Sequence, residues 1–192
     1  MALYVVMLGA PGSGKGTQAK RLSAAFHVPH ISTGDMFRAM KADTSELARR
    51  VRAIMERGEL VPDDLTIEMV RERLKQPDAR AGAIFDGFPR TIEQANALDA
   101  MLEEMYGEQI DVALLLNVPE DEITRRILKR AEVEGRADDT EEVIHKRHQT
   151  YLEQTTPLID YFSRQGKLVE VDGDRPIEVI TEDLIAQIKS NL

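Results

Sequence analysis

Residues 9–17 read Gly9-Ala10-Pro11-Gly12-Ser13-Gly14-Lys15-Gly16-Thr17 and lie between an apolar run at 3–8 and a helical pattern at 15–26. Their spacing is that of the phosphate-binding loop, or P-loop, G-x-x-x-x-G-K, in which a buried strand leads into a helix. Glycines allow backbone N–H groups to surround an anion, and the N-terminus of the helix adds partial positive charge. A glycine-rich turn can also join a strand to a helix without a ligand. Three glycines with a lysine in this context nevertheless predict a nucleoside triphosphate site.

The loop departs from the usual motif at one position. Gly16 follows Lys15 where P-loops ordinarily have Ser or Thr, and Thr17 comes one residue later. The hydroxyl at that position ordinarily contacts Mg²⁺. We therefore expect the metal to depend more on phosphates and water than it does in other P-loop proteins.

Five short apolar runs predict β-strands, at residues 3–8, 29–32, 83–86, 112–118 and 168–172. Helical patterns lie between and after them, at residues 15–26, 44–57, 63–75, 91–106, 120–130, 139–164 and 176–188. The first and fourth runs are apolar almost throughout, which is typical of strands covered on both faces of a parallel sheet. The alternation predicts an α/β fold with right-handed crossovers. Residues 33–61 and 131–139 interrupt it, and are either ordinary loops or peripheral mobile segments.

The composition restricts the possible functions. The chain has 192 residues, of which 42% are hydrophobic and 31% charged, as expected for one compact globular domain. Its net charge of −9 makes it a poor nonspecific ligand for nucleic acid. It contains no cysteine, which excludes disulfides, cysteine nucleophiles and cysteine-bound zinc. Because we find neither a membrane-spanning run nor an export leader, we expect a cytoplasmic protein with no membrane partner.

Two arginines indicate a second ligand. Arg38 and Arg90 each lie beside a glycine-containing turn near the end of a predicted strand, where ligands bind in open α/β sheets. A surface ion pair is the ordinary role of one arginine, but a guanidinium also binds phosphate through two hydrogen bonds at once. Two arginines in such turns therefore favour a second phosphate-bearing ligand. Asp86, which ends a predicted strand, is either a magnesium-site carboxylate or a turn aspartate. His27 precedes the second predicted strand and His30 lies near its start, and neither has a predicted partner.

A further group of arginines lies in the C-terminal half: Arg125, Arg126, Arg130, Arg136 and Arg147. Arg126 and Arg130 are four residues apart and share a helix face. The group is either a solvated basic face that balances nearby carboxylates, or a set of cations that stabilise a transferring phosphoryl group. The chain has no obvious nucleophile–base pair, which suits phosphoryl transfer, because positioning and charge stabilisation supply that catalysis.

Four motifs resemble those of adenylate kinases, in that family's order: residues 9–20, Ser32-Thr33-Gly34-Asp35-Met36-Phe37-Arg38, Gly58-Glu59-Leu60-Val61-Pro62-Asp63 and Asp86-Gly87-Phe88-Pro89-Arg90. Gln94 and the later arginines extend the resemblance over nearly the whole chain. It implies an α/β fold of the P-loop kinase type, with a parallel five-stranded sheet flanked by helices, a small AMP-binding subdomain and a short lid. The implied single domain, 1–192, has a core of 1–32, 62–129 and 141–192, a monophosphate-binding subdomain of 33–61 and a lid of 130–140.

The resemblance also implies the reaction. The terminal phosphoryl group of MgATP would pass reversibly to AMP and give two ADP, by in-line transfer with lid closure, in adenine nucleotide homeostasis. Mg²⁺ would be the cofactor, held by Asp86 through water. No structural zinc is expected, because the lid is short and cysteine is absent. The implied protein is a cytoplasmic monomer with ATP, AMP and ADP as its partners.

The site residues are implied by the same resemblance. Catalytic roles fall to Lys15, Arg90, Arg126, Arg130, Arg136 and Arg147. ATP would be bound by Gly12, Ser13, Gly14, Lys15, Gly16, Thr17, Arg130 and the backbone of Arg175. AMP would be bound by Thr33, Arg38, Glu59, Leu60, Val61, Gly87, Phe88, Pro89, Arg90, Gln94, Arg136 and Arg147, with Gln94 at the adenine edge. Arg125 has no counterpart in the family and is interpreted as a surface residue.

Related enzymes leave alternatives open. Pyrimidine monophosphate kinases share the P-loop and Asp-Gly-Phe-Pro-Arg, but tend to have a small residue such as Ala at the position of Thr33 and a different polar residue at that of Gln94. Thr33 together with Gln94 therefore favours AMP over UMP or CMP. Another small P-loop kinase, or a nucleotide-dependent switch or binding protein, is a further alternative, although the Asn-Lys-x-Asp motif of guanine switches is absent.

Overall fold

The computed structural model describes residues 2–40, 44, 46–135 and 140–192, and it confirms the five predicted strands. They are β1 (Leu3–Leu8), β2 (His30–Ser32), β3 (Gly82–Asp86), β4 (Val112–Asn117) and β5 (Leu168–Asp172). The strands form one sheet in the order β2-β3-β1-β4-β5, and every pair is parallel. The carboxyl ends of all five strands therefore lie at one edge of the sheet, where ligands bind in folds of this class.

Helices connect the strands. They are α1 (Lys15–Phe26), α2 (Thr33–Ala39), α3 (Glu46–Glu56), α4 (Asp63–Leu74), α5 (Ile92–Tyr106), α6 (Glu120–Glu134), α7 (Glu141–Thr150), α8 (Pro157–Arg164) and α9 (Ile177–Ser190). A short 3₁₀ turn, Pro77–Ala81, precedes β3 and has no counterpart among the predicted elements. Among the described residues, none of the helices is both long enough and apolar enough to cross a membrane.

The sheet is buried on both faces, as the uninterrupted apolar run of β1 predicts. Tyr4 and Val6 pack toward α4, α5 and α8, whereas Val5 and Met7 pack toward α1 and α9. Alternate strand residues point to opposite faces, so one strand supplies both layers. Burying each of these large apolar side chains stabilises the fold by about 1.5–3 kcal/mol. This core holds the carboxyl edge of the sheet in place.

Two smaller apolar clusters lie beyond the sheet. Phe37, Val51 and Val61 pack together between α2, α3 and the start of α4. Ile127 and Ile144 pack from α6 and α7 around Ala10 of the P-loop. The first cluster gives residues 33–61 apolar contacts of their own, which is consistent with a separate subdomain. The boundaries of that subdomain and of the lid stay predictions.

The predicted single helix over 139–164 is wrong. α7 ends at Thr150, a wider turn of the π type spans Tyr151–Thr155, and α8 begins at Pro157. Pro157 has no N–H, and its ring would clash with the carbonyl four residues earlier in a regular helix. The chain avoids this clash by widening the preceding turn, in which the Thr156 N–H donates to the Tyr151 carbonyl at 2.9 Å.

The predicted end of α6 at residue 130 is also wrong, because the helix continues to Glu134 and ends at Gly135 in the left-handed conformation. Asp139, the predicted first residue of the next helix, lies outside the described residues. Thr140 caps α7, and its hydroxyl accepts from the Val143 N–H at 3.4 Å.

Candidate functional site

A cleft of about 620 Å³ lies at the carboxyl edge of the sheet. The segments that follow β1, β2 and β3 line it, together with α6, α7 and residues 58–61. The cleft brings together predicted site residues from the whole chain: Gly12, Gly14, Lys15, Gly16, Thr17, Thr33, Arg38, Glu59, Leu60, Val61, Asp86, Gly87, Pro89, Arg90, Gln94, Arg126, Arg130 and Arg147.

The P-loop follows β1 directly and leads into α1. Lys15 Nζ donates to the carbonyl oxygens of Gly9 and Ala10, at 2.8 and 3.0 Å, so the ammonium lies across the loop. Gly12 has a φ of +84°, and a Cβ built there would lie 2.5 Å from Cγ1 of Ile127 in α6. Only glycine fits that contact, because an added Cβ would meet α6 and the backbone conformation is left-handed. The loop therefore packs directly against α6.

The pKa of Lys15 is lower than that of an ordinary lysine. Burial lowers its pKa to about 8, since desolvation disfavours the charged form. The carboxylate of Asp86 opposes this shift, whereas the guanidinium groups of Arg90 and Arg130 add to it. Cations from the P-loop, the turn after β3 and α6 are therefore close enough to influence one another.

Asp86 ends β3 and faces His30 of β2. His30 Nε2 lies 3.2 Å from Asp86 Oδ2. Burial opposes the ionisation of Asp86 most strongly, yet the hydrogen bond from His30 and the charges of Lys15 and Arg90 hold its pKa below the usual value. An ionised carboxylate only accepts hydrogen bonds, so His30 Nε2 carries the proton in this contact. Asp86 is thus a partly buried anion among cations.

Arg90 is held by the turn after β3. Its Nε donates to the Gly87 carbonyl at 2.9 Å, and the Thr33 hydroxyl donates to the same oxygen at 2.9 Å. Gly87 has a φ of +78°, and a Cβ there would lie 3.0 Å from Thr33 Oγ1 and 3.1 Å from Arg90 Nη2. Burial lowers the pKa of Arg90, and Asp86 opposes this shift, whereas Arg147 and Arg38 add to it. The turn therefore sets a guanidinium in the wall of the cleft.

Three further arginines line the same cleft as Arg90. Arg38 of α2 lines the cleft and pairs with Asp35 one turn earlier. Arg130 of α6 and Arg147 of α7 also line it. Because Arg38 and Arg147 both influence the pKa of Arg90, these cations from three different elements converge. Such a cluster is an electrostatic site for phosphate groups.

Gln94 of α5 is 2% exposed and lines the same cleft. Its Oε1 accepts from the Arg90 N–H at 2.7 Å, and its Nε2 donates to Asp63 Oδ1 at 2.8 Å. Asp63 Oδ1 also accepts from the Thr91 hydroxyl at 3.1 Å. The amide is therefore held at both ends by the protein.

Residues 58–61, at the end of the 33–61 region, contact α7. Lys146 Nζ donates to Glu59 Oε1 at 3.0 Å, and Arg57 binds the other carboxylate oxygen of Glu59. Hydrogen bonds from Arg57 and Lys146 lower the pKa of Glu59 to about 2. The Glu59 carboxylate thus pairs with two cations, Arg57 and Lys146, and residues 58–61 form part of the wall of the cleft.

Arg126 joins two loops of the site. Its Nη1 donates to the Ser13 carbonyl at 3.4 Å, and its Nη2 donates to the Gly173 carbonyl at 3.1 Å. Glu122 accepts from Nε at 2.6 Å, one helical turn earlier. The guanidinium therefore connects the P-loop to the loop between β5 and α9.

Three predicted residues, Ser13, Phe88 and Arg175, are not among the described residues that line the cleft. The Arg175 side chain contacts Asp172 and Asp183, with 2.7 Å to Asp183 Oδ2. The side chains of Ser13 and Phe88 are buried. Arg136 lies outside the described residues. Binding by the backbone of these loops stays a prediction, as does the role of Arg136.

Sequence reasoning missed two residues of the site. His30 has a partner, Asp86, and the register of the parallel strands is the signal for it. Ser32 is opposite Asp86 and His30 is opposite Ile84, so these residues share one face of the sheet. Asp63, the partner of Gln94, is 31 residues away in sequence, and we find no local pattern that predicts the contact.

Within the described ranges, no group of three or more His, Cys, Asp or Glu residues is arranged to hold a metal ion. Asp86 is a single ionised carboxylate beside the P-loop, and the Cβ position of Gly16 lies 3.4 Å from its Oδ2. Oxygen ligands of this kind suit Mg²⁺, which usually keeps several waters and binds one or two carboxylates together with substrate phosphates.

Comparison with known proteins agrees with this geometry. A family model described as adenylate kinase matches residues 7–167. The adenylate kinase of Maricaulis maris is 49% identical over 97% of this chain and 99% of its own length. That of Thermobifida fusca is 46% identical over 98% of this chain and 99% of its own. That of Archaeoglobus fulgidus is 41% identical over 98% of this chain and all of its own.

The family model covers well over half of the chain, and each of these relatives aligns with nearly all of it. The chain therefore belongs to the adenylate kinase family, the nucleoside monophosphate kinases that transfer the terminal phosphoryl group of ATP to AMP and give two ADP.

Proposed function

We propose that the two nucleotides meet at the cluster of Lys15, Arg90 and Arg130, with ATP on the P-loop side and AMP on the side of Arg38. The observation that carries this proposal is the convergence of these cations in one cleft, close enough to influence one another's pKa values. Cations at this point would stabilise the charge that spreads over the transferring phosphoryl group.

On the donor side, the backbone N–H groups of residues 12–17 would bind the β- and γ-phosphates. Lys15 would follow the γ-phosphate, because its ammonium is the one full charge of the loop. Arg130 would bind the triphosphate from α6. The backbone of Arg175 and the connection made by Arg126 would place the adenine of ATP near the loop between β5 and α9.

On the acceptor side, Arg38, Arg90 and Arg147 would bind the phosphate of AMP, with Arg136 as a further ligand. The orientation of Arg90 supports this assignment, because its Nε is already held by the Gly87 carbonyl and its guanidinium lines the cleft. Thr33, residues 59–61 and the turn 87–90 would enclose the nucleoside. Gln94 would contact the Watson–Crick edge of its adenine.

The residues beside the P-loop, Asp86 above all, suit Mg²⁺. Asp86 would hold it through water, while the phosphates supply its other ligands, and it would neutralise charge on the β- and γ-phosphates. Gly16 has no hydroxyl, and the hydroxyl of Thr17 is displaced by one residue from the usual position. The protein would therefore supply few direct ligands to Mg²⁺.

The protein's own task in the transfer is alignment. The AMP phosphate is already ionised at neutral pH, so no general base is needed. Residues 33–61 and the lid, 130–140, would close over the two nucleotides and exclude water, which otherwise competes as acceptor. Compaction in solution scattering on addition of a bisubstrate inhibitor would support closure, and an unchanged radius of gyration would contradict it.

We further propose that the protein acts as a cytoplasmic monomer without a nucleic-acid or membrane partner. The net charge of −9 supports the second part. Light scattering coupled to size-exclusion chromatography tests the oligomeric state.

The acceptor is tested with AMP, UMP, CMP and GMP, each with MgATP. We expect kcat/KM for AMP to exceed the value for each other acceptor by at least about 100-fold, because a site built to hydrogen-bond one base leaves groups unpaired with another. The Lys15→Ala variant, purified identically, controls for contaminating kinases. Preference for UMP or CMP would contradict the assignment of Thr33 and Gln94.

A further inference from the structure

The side-chain amide of Gln94 has one orientation that satisfies its protein partners. The Arg90 N–H is only a donor and therefore requires the amide oxygen, which lies 2.7 Å away. The carboxylate of Asp63 is only an acceptor and therefore requires the amide nitrogen, which lies 2.8 Å away. A rotation by 180° would oppose two donors at one end and two acceptors at the other. Both ends of Gln94 thus select the same orientation independently.

This arrangement leaves half of the amide available. Oε1 accepts one hydrogen bond from Arg90 and retains a second lone pair, and Nε2 donates one hydrogen to Asp63 and retains a second. Gln94 lines the cleft while its side chain is almost fully buried. A ligand at this point therefore meets one acceptor and one donor, in a fixed order.

That order distinguishes purines by the group at position 6. A 6-aminopurine has an N–H donor at position 6 and an acceptor at N1, which complement Oε1 and Nε2 as they are fixed here. A 6-oxopurine has the reverse, an acceptor at position 6 and a donor at N1. It could pair with Gln94 only if the amide were rotated, which its two protein partners oppose.

We propose that Asp63 is a specificity-determining positioning residue: with the Arg90 N–H, it fixes the Gln94 amide in the orientation that accepts 6-aminopurine monophosphates and rejects 6-oxopurine monophosphates. The inference rests on the proposed binding of the AMP base at Gln94. Asp63 does not contact the base in this account, and acts only through Gln94. Its position at the start of α4, beside Thr91 at the start of α5, keeps the carboxylate within reach of the amide.

The Asp63→Asn variant tests the proposal. Asparagine has nearly the same shape, but its side chain can accept from or donate to Gln94 and so no longer opposes the rotated amide. AMP and IMP are compared as acceptors, because they differ only at position 6 and N1. We expect the ratio of kcat/KM for AMP to that for IMP to fall by about tenfold or more, as one of two constraints is removed.

Two further variants separate specificity from structure. Asp63→Glu retains a carboxylate acceptor, and we expect it to keep the AMP-to-IMP ratio closer to that of the parent enzyme than Asp63→Asn does. Asp64→Asn removes the same charge from the next position of the first turn of α4, where the side chain is exposed. We expect it to leave the ratio unchanged, so an effect of helix charge alone would become visible.

The outcomes are distinct. If Asp63→Asn lowers kcat/KM for AMP and IMP by the same factor, Asp63 has only a structural role and the proposal is overturned. Equal use of AMP and IMP by the parent enzyme also overturns it. Failure of the parent enzyme to phosphorylate AMP at all contradicts the proposed function instead.

Discussion

The two sides of the cleft are built differently. On the proposed donor side, residues 12–17 are contiguous, and backbone N–H groups at the start of α1 supply most of the predicted contacts. On the proposed acceptor side, side chains from α2, the turn after β3, α5 and α7 meet after long separations in sequence. A backbone site is set mainly by local conformation, whereas a side-chain site depends on the packing of the elements that carry it.

The largest expected effect comes from the single side-chain charge of the donor loop. We expect Lys15→Ala to lower kcat by about 1,000-fold, because it removes a partly buried cation at the proposed position of the transferring phosphoryl group. KM for AMP should change by less than about threefold, since the acceptor side remains intact. Steady-state kinetics measure both. Lys189→Ala, in the last turn of α9, is the control for general loss of a lysine, and an unchanged kcat for Lys15→Ala would contradict the role of the loop.

The next largest effect is the loss of kcat/KM for AMP when either of two arginines on the proposed acceptor side is removed. We expect Arg90→Ala to lower kcat/KM for AMP by about 100-fold or more, because its guanidinium is already oriented by the Gly87 carbonyl. Arg38→Ala should cost about tenfold, because 26% of its side chain is exposed and water screens it. ATP binding, followed by calorimetry, should change little in either variant. Equal losses for the two arginines would show that the hydrogen bond to the Gly87 carbonyl does not control the contribution of Arg90.

Gly87→Ala tests whether the acceptor turn depends on close packing. We expect it to raise KM for AMP by about tenfold, because the new Cβ would press on Thr33 and Arg90. The matched control is Gly107→Ala, with a similar φ of +67° and no atom within 4 Å of the added Cβ. It should lose about 1–2 kcal/mol of stability from left-handed strain alone, with KM unchanged. Urea unfolding and KM measurements separate the two effects, and similar KM values in both variants would exclude crowding.

The smallest effect is a shift in a pH profile. Burial lowers the pKa of Lys15 to about 8, so the loop loses its ammonium as the pH rises through that value. We expect kcat/KM for ATP to fall above about pH 8, by up to tenfold per unit, because this parameter reports the free enzyme. Arg130 contributes to the lowering, so Arg130→Gln should move the fall to higher pH. A shift to lower pH would contradict that electrostatic coupling.

The same contrast explains what the sequence could predict. The strands and the P-loop are encoded locally, by continuous apolar runs and by glycines at fixed spacing, and the predictions for both agree with the structure. The helix over 139–164 was predicted wrongly because periodicity continues through Pro157, while the missing N–H of that residue requires a wider turn.

Contacts on the acceptor side were only partly predictable. Arg90 and Gln94 follow from their motif, but the partners that orient them belong to other elements. His30 reaches Asp86 through strand register, and Asp63 reaches Gln94 through the packing of α4 on α5. Neither distance is fixed by spacing along the chain, because the fold, rather than local conformation, brings these atoms together.

The contact between Gly12 and Ile127 has a mechanical consequence. α6 contacts the phosphate loop at Ile127 and carries Arg130, the first residue of the predicted lid, three residues later. Less than one helical turn separates Ile127 from Arg130, so the contact at Gly12 limits how closely this part of α6, and Arg130 with it, can approach the loop.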